Sequence, residues 1–154
     1  MISQEENREQ GYMIIRLEIP GEPIGKARPR VSKFGSYTPK KTKNYETFVK
    51  ELFFAKHGQV LLEGPLEVEI KAYFKIPKSV SKKRREEMIN GQITPTKKPD
   101  IDNVIKGIAD ALNDIAYEDD KQIVRVIAEK YYSEKPRAEV TIKTINDNRR
   151  NENV

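Results

Sequence analysis

The sequence predicts a small α+β domain, and three observations carry that prediction. Four stretches alternate apolar and polar residues with period two, as half-buried strands do. Three others repeat apolar or polar character at helical spacing. The segments follow one another as β-α-β-α-α-β-β in a chain of 154 residues, a length that suits one domain with its own core. About four strands in a mixed or antiparallel sheet, with helices packed against it, satisfy that order.

Residues 1–11 and 146–154 read as polar, charged tails around a domain spanning 12–145. The first strand is Met13, Ile15, Leu17 and Ile19 alternating with Ile14, Arg16 and Glu18. Tyr45, Phe48, Val49, Leu52 and Phe53 then form one helical stripe, stopped near Gly58. Leu66, Val68, Ile70, Ala72 and Phe74 give the cleanest strand signal in the chain. Ser79 to Asn90 is a very polar helix, with Ser81 as N-cap and Gly91 as its stop. In the third helix Ile101, Val104, Ile105, Ile108, Leu112 and Ile115 define the buried face. Val124, Val126 and Ala128 mark one face of a third strand; Ala138, Val140 and Ile142 mark one face of the fourth. A turn at Ser133–Pro136 suggests that these two strands form an antiparallel hairpin.

Composition removes several classes of chemistry. There is no cysteine, so disulfides, zinc ribbons and thiol nucleophiles are absent, which suits a reducing cytoplasm. The single histidine, His57, falls at a helix end. A metal held by this chain must therefore sit among oxygen ligands, which favours Mg²⁺, with Mn²⁺ as a substitute. No apolar run approaches the ~18 residues of a membrane span, and no secretory signal opens the sequence. With 34% charged residues and no tryptophan, a small oligomer sharing buried area fits the composition.

Charge is segregated along the chain. From Asp100 to Asp120 there are seven acids and one base, Lys106, a local balance of −6 in a chain that carries +5. Nine bases against three acids lie between Gly21 and Lys56, and nine against two between Lys71 and Lys98. Carboxylates gathered against a basic background suggest a divalent metal working on a polyanion, with nucleic acid the natural candidate. The Pro-broken Lys26-Ala27-Arg28-Pro29-Arg30 reads as a phosphate-gripping loop, and Lys97 and Lys98 extend the cationic surface to the acids.

Pro99 disfavours helix at Lys98, so the third helix should start near Asp100 to Asp102. Carboxylates there are stabilised by the helix dipole by roughly 0.3–1 kcal/mol each and kept ionised. Asp102, Lys106 and Asp110 are spaced by four along one polar stripe, and Asp119 and Asp120 precede a strand. Convergent carboxylates beside a lysine match metal-assisted phosphodiester hydrolysis. Each member also has an ordinary reading. Asp100 could be a helix cap, Asp102 and Lys106 a surface ion pair, Asp119-Asp120 a turn, and Asp110 a structural residue. Their co-occurrence favours the metal site. The spacing after Asp102 excludes a calcium loop, because Val104 stands where an acidic or amide ligand is needed and Ile105 where the glycine is.

At these residues the chain resembles the RusA family of Holliday-junction resolvases. The likeness rests on Pro99-Asp100-Ile101-Asp102-Asn103-Val104-Ile105-Lys106, on Asp110-Ala111-Leu112-Asn113, and on Ala116-Tyr117-Glu118-Asp119-Asp120-Lys121-Gln122-Ile123. Lys26–Arg30 followed by Tyr37-Thr38-Pro39 is also similar, and the resemblance runs from about Ile14 to Ile142. It implies metal-binding aspartates at Asp100, Asp102 and Asp120, with Asp119 beside the third ligand, and an essential lysine at Lys106. It further implies a homodimer that binds a four-way DNA junction and uses Mg²⁺ to make paired, symmetric nicks, in recombination, repair or prophage DNA processing. Lys26, Arg28, Arg30, Lys97 and Lys98 would then hold the DNA backbone. The competing readings are a non-enzymatic basic DNA- or RNA-binding protein and a nuclease for other branched DNA.

Overall fold

The computed structural model describes residues 4–7, 12–37 and 39–145. Its elements run β1 (Gln4–Asn7), β2 (Tyr12–Pro20), β3 (Arg30–Ser32), β4 (Gly35–Tyr37), α1 (Lys40–His57), β5 (Leu66–Lys75), α2 (Lys82–Ile89), α3 (Ile101–Ala111), β6 (Ile123–Ser133) and β7 (Arg137–Thr144). A mixed sheet has the order β1-β2-β7-β5-β6, and β3 and β4 form a separate two-stranded hairpin. All pairs in the large sheet are antiparallel except β5 with β6, which is parallel.

The period-two pattern does what it implies. Ile15, Leu17 and Ile19 lie opposite Ile142, Val140 and Ala138, which in turn lie opposite Val68, Ile70 and Ala72. All of these are buried, and α1 and α3 close over them with Tyr45, Val49, Phe53, Val104 and Ile108. Each fully buried Ile, Leu or Phe contributes about 1.5–3 kcal/mol. The other sheet face carries Glu18, Glu67, Glu69, Lys71 and Glu139 on alternate positions. Helix ends follow the local signals. Ser81 Oγ accepts the Arg84 N–H at 3.2 Å, and Gly58, with φ +73°, closes α1 by donating to the Phe54 carbonyl at 2.8 Å. His57 sits at that helix end, its ring against Phe53 and its Nε2 on the Arg16 carbonyl.

Four features differ from the sequence expectation. The β6–β7 hairpin does not form, because β5 lies between the two strands. β5 has the most complete apolar alternation, so burying it between two neighbours gains most. The Glu134–Pro136 link needs to cross only two strand spacings, roughly 9.6 Å. Val126 and Ala128 pair with Val68 and Ile70, but only Ala128 packs against the core; Val126 remains exposed at this edge, and a bulge between Leu66 and Glu67 leaves Val124 65% exposed. α3 stops at Ala111, and Ile115 is buried through a turn in which Asp114 adopts φ +66°. Finally, Gln4–Asn7, read as tail, pairs with β2 at the sheet edge, and Arg30–Tyr37 holds the short hairpin. Neither carries the apolar alternation by which strands are recognised in sequence. The expected tail at 146–154 lies outside the described residues.

Candidate active site

The first turn of α3 is prepared by its surroundings. Asp100 occupies the N-cap in extended conformation, yet its carboxylate makes no capping hydrogen bond. Asp102 follows in the first helical turn, on the exposed side. Neither carboxylate takes part in a hydrogen bond or ion pair among the described residues, so both are presented to solvent in the field of the helix N-terminus. The segment before them is clamped: Lys130 of β6 donates to the carbonyls of Lys97 at 2.6 Å and Pro99 at 2.9 Å. From the other side Ile24–Ala27 lies along α3. The Lys26 N–H donates to the Asn103 carbonyl at 2.8 Å, and the Ala27 N–H to Thr42 Oγ1 at 3.2 Å. A Cβ on Gly25 would stand 2.6 Å from Pro99 Cβ and 3.1 Å from Asn103 Cβ. Gly25 is thus demanded by close approach.

One turn deeper, a chain of charges runs across the two helices. Lys26 Nζ lies 2.6 Å from Glu46 Oε1 on α1 and 3.1 Å from Asp110 Oδ2 on α3. The other oxygen of Asp110 is 3.2 Å from Lys106 Nζ. Burial lowers the Lys26 pKa, but its hydrogen bonds to Glu46 and Asp110 outweigh that and hold it raised. Lys106 remains exposed, tethered through one carboxylate oxygen. Lys106 therefore pairs with Asp110 one turn on, and the Asp102–Lys106 pair that the spacing allows is not made.

Asp119 and Asp120 begin a single 3-10 turn, Asp120–Gln122, ahead of β6. Their roles separate. Asp119 Oδ1 accepts the Lys121 N–H at 2.8 Å, and Gln122 Oε1 reaches back to the Asp119 N–H, a capping box. That backbone hydrogen bond holds the Asp119 carboxyl below its usual pKa. Asp120 is fixed through its main chain, which donates to Asn113 Oδ1 at 2.8 Å. Its carboxyl is raised, first by burial, then by a hydrogen bond to Asp119 and the charge of Asp110, with Lys106 opposing. Tyr117 is fully buried and donates to the Ala109 carbonyl at 2.6 Å. Burial first, and then Asp120, Asp110 and Asp119, push its hydroxyl far up, so it stays protonated.

Asp100 opens onto a cleft of about 1020 Å³ whose lining also includes Arg28, Arg30, Lys41, Lys98 and Asn103. Cations and a carboxylate thus share one surface. Lys97 is exposed beside it. Lys26 also borders the cleft, but its amine is committed to Glu46 and Asp110.

The family model of endodeoxyribonuclease RusA matches residues 20–143, which contains every one of these residues. The chain belongs to the RusA family. It is also 39% identical over 137 residues to the uncharacterized protein YqaN of Bacillus subtilis (strain 168), a match covering 85% of this chain and 96% of that protein. RusA membership makes this chain a nuclease of the class that acts on Holliday junctions, as the motif resemblance implied. No helix among the described residues is long and apolar enough to cross a membrane.

The RusA motif residues are only partly gathered. Asp110, Lys106, Lys26 and Glu46 form a connected network, and Asp120 senses both Asp110 and Lys106. Among the described residues no three acids already form a metal-holding group. The donor chemistry nonetheless fits a hard divalent ion: the oxygens of Asp100 and Asp102 are unused, and Asp120 is crowded by like charge that a cation would relieve. Sequence reasoning missed Gly25, Thr42, Glu46, Asn113 and Lys130. Gly25, Thr42, Glu46 and Lys130 act through contacts distant in sequence, whereas Asn113 lay within a motif already singled out and reaches Asp120 seven residues on.

Proposed function

We propose that this RusA-family chain is a Mg²⁺-dependent, structure-selective endonuclease that resolves four-way DNA junctions by paired, symmetric nicks. The observation that carries the reading is the pair of unengaged carboxylates, Asp100 and Asp102, at a helix start, with Asp100 lining a cationic cleft. In this reading Asp100, Asp102 and Asp120 hold the metal, with Mn²⁺ able to replace Mg²⁺. Asp120 is preferred to Asp119 because Asp119 already caps its own turn. When bound, the ion would acidify a water and neutralise charge on the scissile phosphate.

The chain's own residues do the rest. Arg28, Arg30, Lys97 and Lys98 hold the DNA backbone through phosphate contacts. Lys106, kept in place by Asp110, brings a positive charge to the phosphate where negative charge develops. Lys26 supports that arrangement through Asp110, and so contributes to DNA binding by shaping the cleft. Two cuts require two sites, which a homodimer supplies. The β6 edge, with one neighbour in the sheet and Val124 and Val126 exposed, is a surface a second copy could cover. The setting is cytoplasmic DNA recombination, repair or prophage DNA processing.

The decisive experiment is a nicking assay on a synthetic four-way junction beside matched linear duplex, with Mg²⁺ and with chelator. Symmetric, Mg²⁺-dependent nicks confined to the junction are expected. Tight junction binding without product under any divalent ion would overturn the reading in favour of a passive binder, whose affinity should still fall steeply with salt.

A further inference from the structure

Apart from Arg30 at its base, the β3–β4 hairpin is not used by the catalytic reading, and its surface chemistry is unusual for an exposed arm. Every residue of its two strands is exposed. Val31 is 83% exposed, Phe34 at the turn 89%, and Tyr37 50%. Large apolar groups presented singly are commonplace; here Val31 and Tyr37 fall on opposite faces of the arm, and Phe34 at the turn, the most exposed of the three, is its apolar contact point.

The turn is built to present Phe34. Ser32 Oγ accepts the Phe34 N–H at 3.2 Å and donates to the Gly35 carbonyl at 3.2 Å. Gly35 supplies φ +112°, a conformation a side chain would strain. Lys33 Nζ lies 5.2 Å from the centre of the Phe34 ring. Charge identifies the partner. Between Glu22 and Glu46 there is no acid, while Lys26, Arg28, Arg30, Lys33, Lys40, Lys41 and Lys43 all fall there. A second copy of the arm would bring cation to cation, so the surface suits an anionic partner with flat apolar faces. The hairpin also springs from the rim of the cleft: Arg28 and Arg30 line it together with Asp100. A strand held there for cleavage runs beside the arm.

We propose that the β3–β4 hairpin is a base-stacking arm that places the Phe34 ring against unstacked bases at the DNA branch point, and that this contact lets the protein tell a junction from linear duplex. The inference rests on the endonuclease reading above and adds to it the means of selection. In linear duplex the base faces are covered by their neighbours, and exposing them costs a few kcal/mol per step. At a branch that cost is already partly met. Phosphate contacts by Arg28, Arg30 and Lys33 serve both substrates equally, so discrimination falls to the aromatic contact.

The test uses the full chain in chelator, with a four-way junction carrying 2-aminopurine at the branch and a linear duplex carrying it at mid-length. Wild type should prefer the junction and raise its fluorescence on binding. Phe34→Ala should abolish the rise and weaken junction binding about tenfold or more, leaving duplex binding unchanged, while Phe34→Trp should retain both. If wild type prefers the junction and Phe34→Ala binds it with the same affinity and fluorescence, the arm is overturned and the endonuclease reading stands. If wild type shows no preference for the junction, the arm is overturned, and the endonuclease reading stands or falls on the nicking assay alone. A change in sedimentation of Phe34→Ala without any change in DNA binding would make the arm a subunit contact and overturn the proposal.

Discussion

Asp102 and Asp110 sit two turns apart on α3, chemically identical, and the fold treats them in opposite ways. Asp110 is largely buried and spends both oxygens on ammonium groups, Lys26 on one side and Lys106 on the other. Asp102 is exposed and makes no such bond among the described residues. The same contrast divides Asp119, whose carboxylate caps its own turn, from Asp100, which occupies a cap position without capping. An acid already consumed by the fold stabilises it, whereas an acid left over is available to a ligand. Residue type and spacing cannot make that distinction, because it depends on which partners the tertiary structure supplies.

The sharpest way to break the comparison is to neutralise each acid in turn. Asp102→Asn should cut junction nicking by at least about a hundredfold, with junction binding in chelator retained and the melting temperature little changed. Full nicking activity in that variant would remove Asp102 from the metal site. Asp110→Ala should do the reverse in emphasis. Removing one partner of a mostly buried, doubly bonded carboxylate is expected to cost roughly 1–3 kcal/mol of folding stability, read by denaturant titration. Activity should fall as well, through loosening of Lys106.

A smaller effect, with a telling sign, belongs to Asp120. Its folded-state pKa is raised, so the folded state favours the protonated acid. That contribution is fully present below the ordinary carboxylate range and is lost as pH rises through the raised pKa. At neutral pH the ionised group therefore works against the fold. Asp120→Asn should raise the melting temperature slightly in chelator at pH 7, and the gain should vanish towards pH 4, while nicking is lost. A variant less stable than wild type at pH 7 would contradict the crowding inferred around Asp120.

Much of this was legible in the sequence. Strong periodicity placed β2, β5 and β7, Ser81 and Gly58 marked helix ends, and Pro99 marked the start of α3. The motif acids and Lys106 were visible as a set. The pairing of β6 with β5 was not, because a turn at Ser133–Pro136 is compatible both with a hairpin and with a step across one strand. Gln4–Asn7 carries no apolar alternation to announce an edge strand. Lys26 read as a free cation beside Arg28 and Arg30. Nothing local reveals that Glu46, beyond the β3–β4 hairpin and near the start of α1, would reach it. Lys130 was likewise hidden, since its partners are main-chain carbonyls that any sequence would supply.

Gly25 has a consequence for how this chain can change over generations. The carbon it lacks would collide with Pro99 and Asn103, and every other amino acid brings that carbon. No single codon change at this position therefore escapes the collision, whatever chemistry the new side chain carries. A charged position on the cleft can be exchanged for a similar one, but the contact between the Ile24–Ala27 segment and α3 has one admissible letter. Diversification of substrate preference in such a protein must proceed around that point.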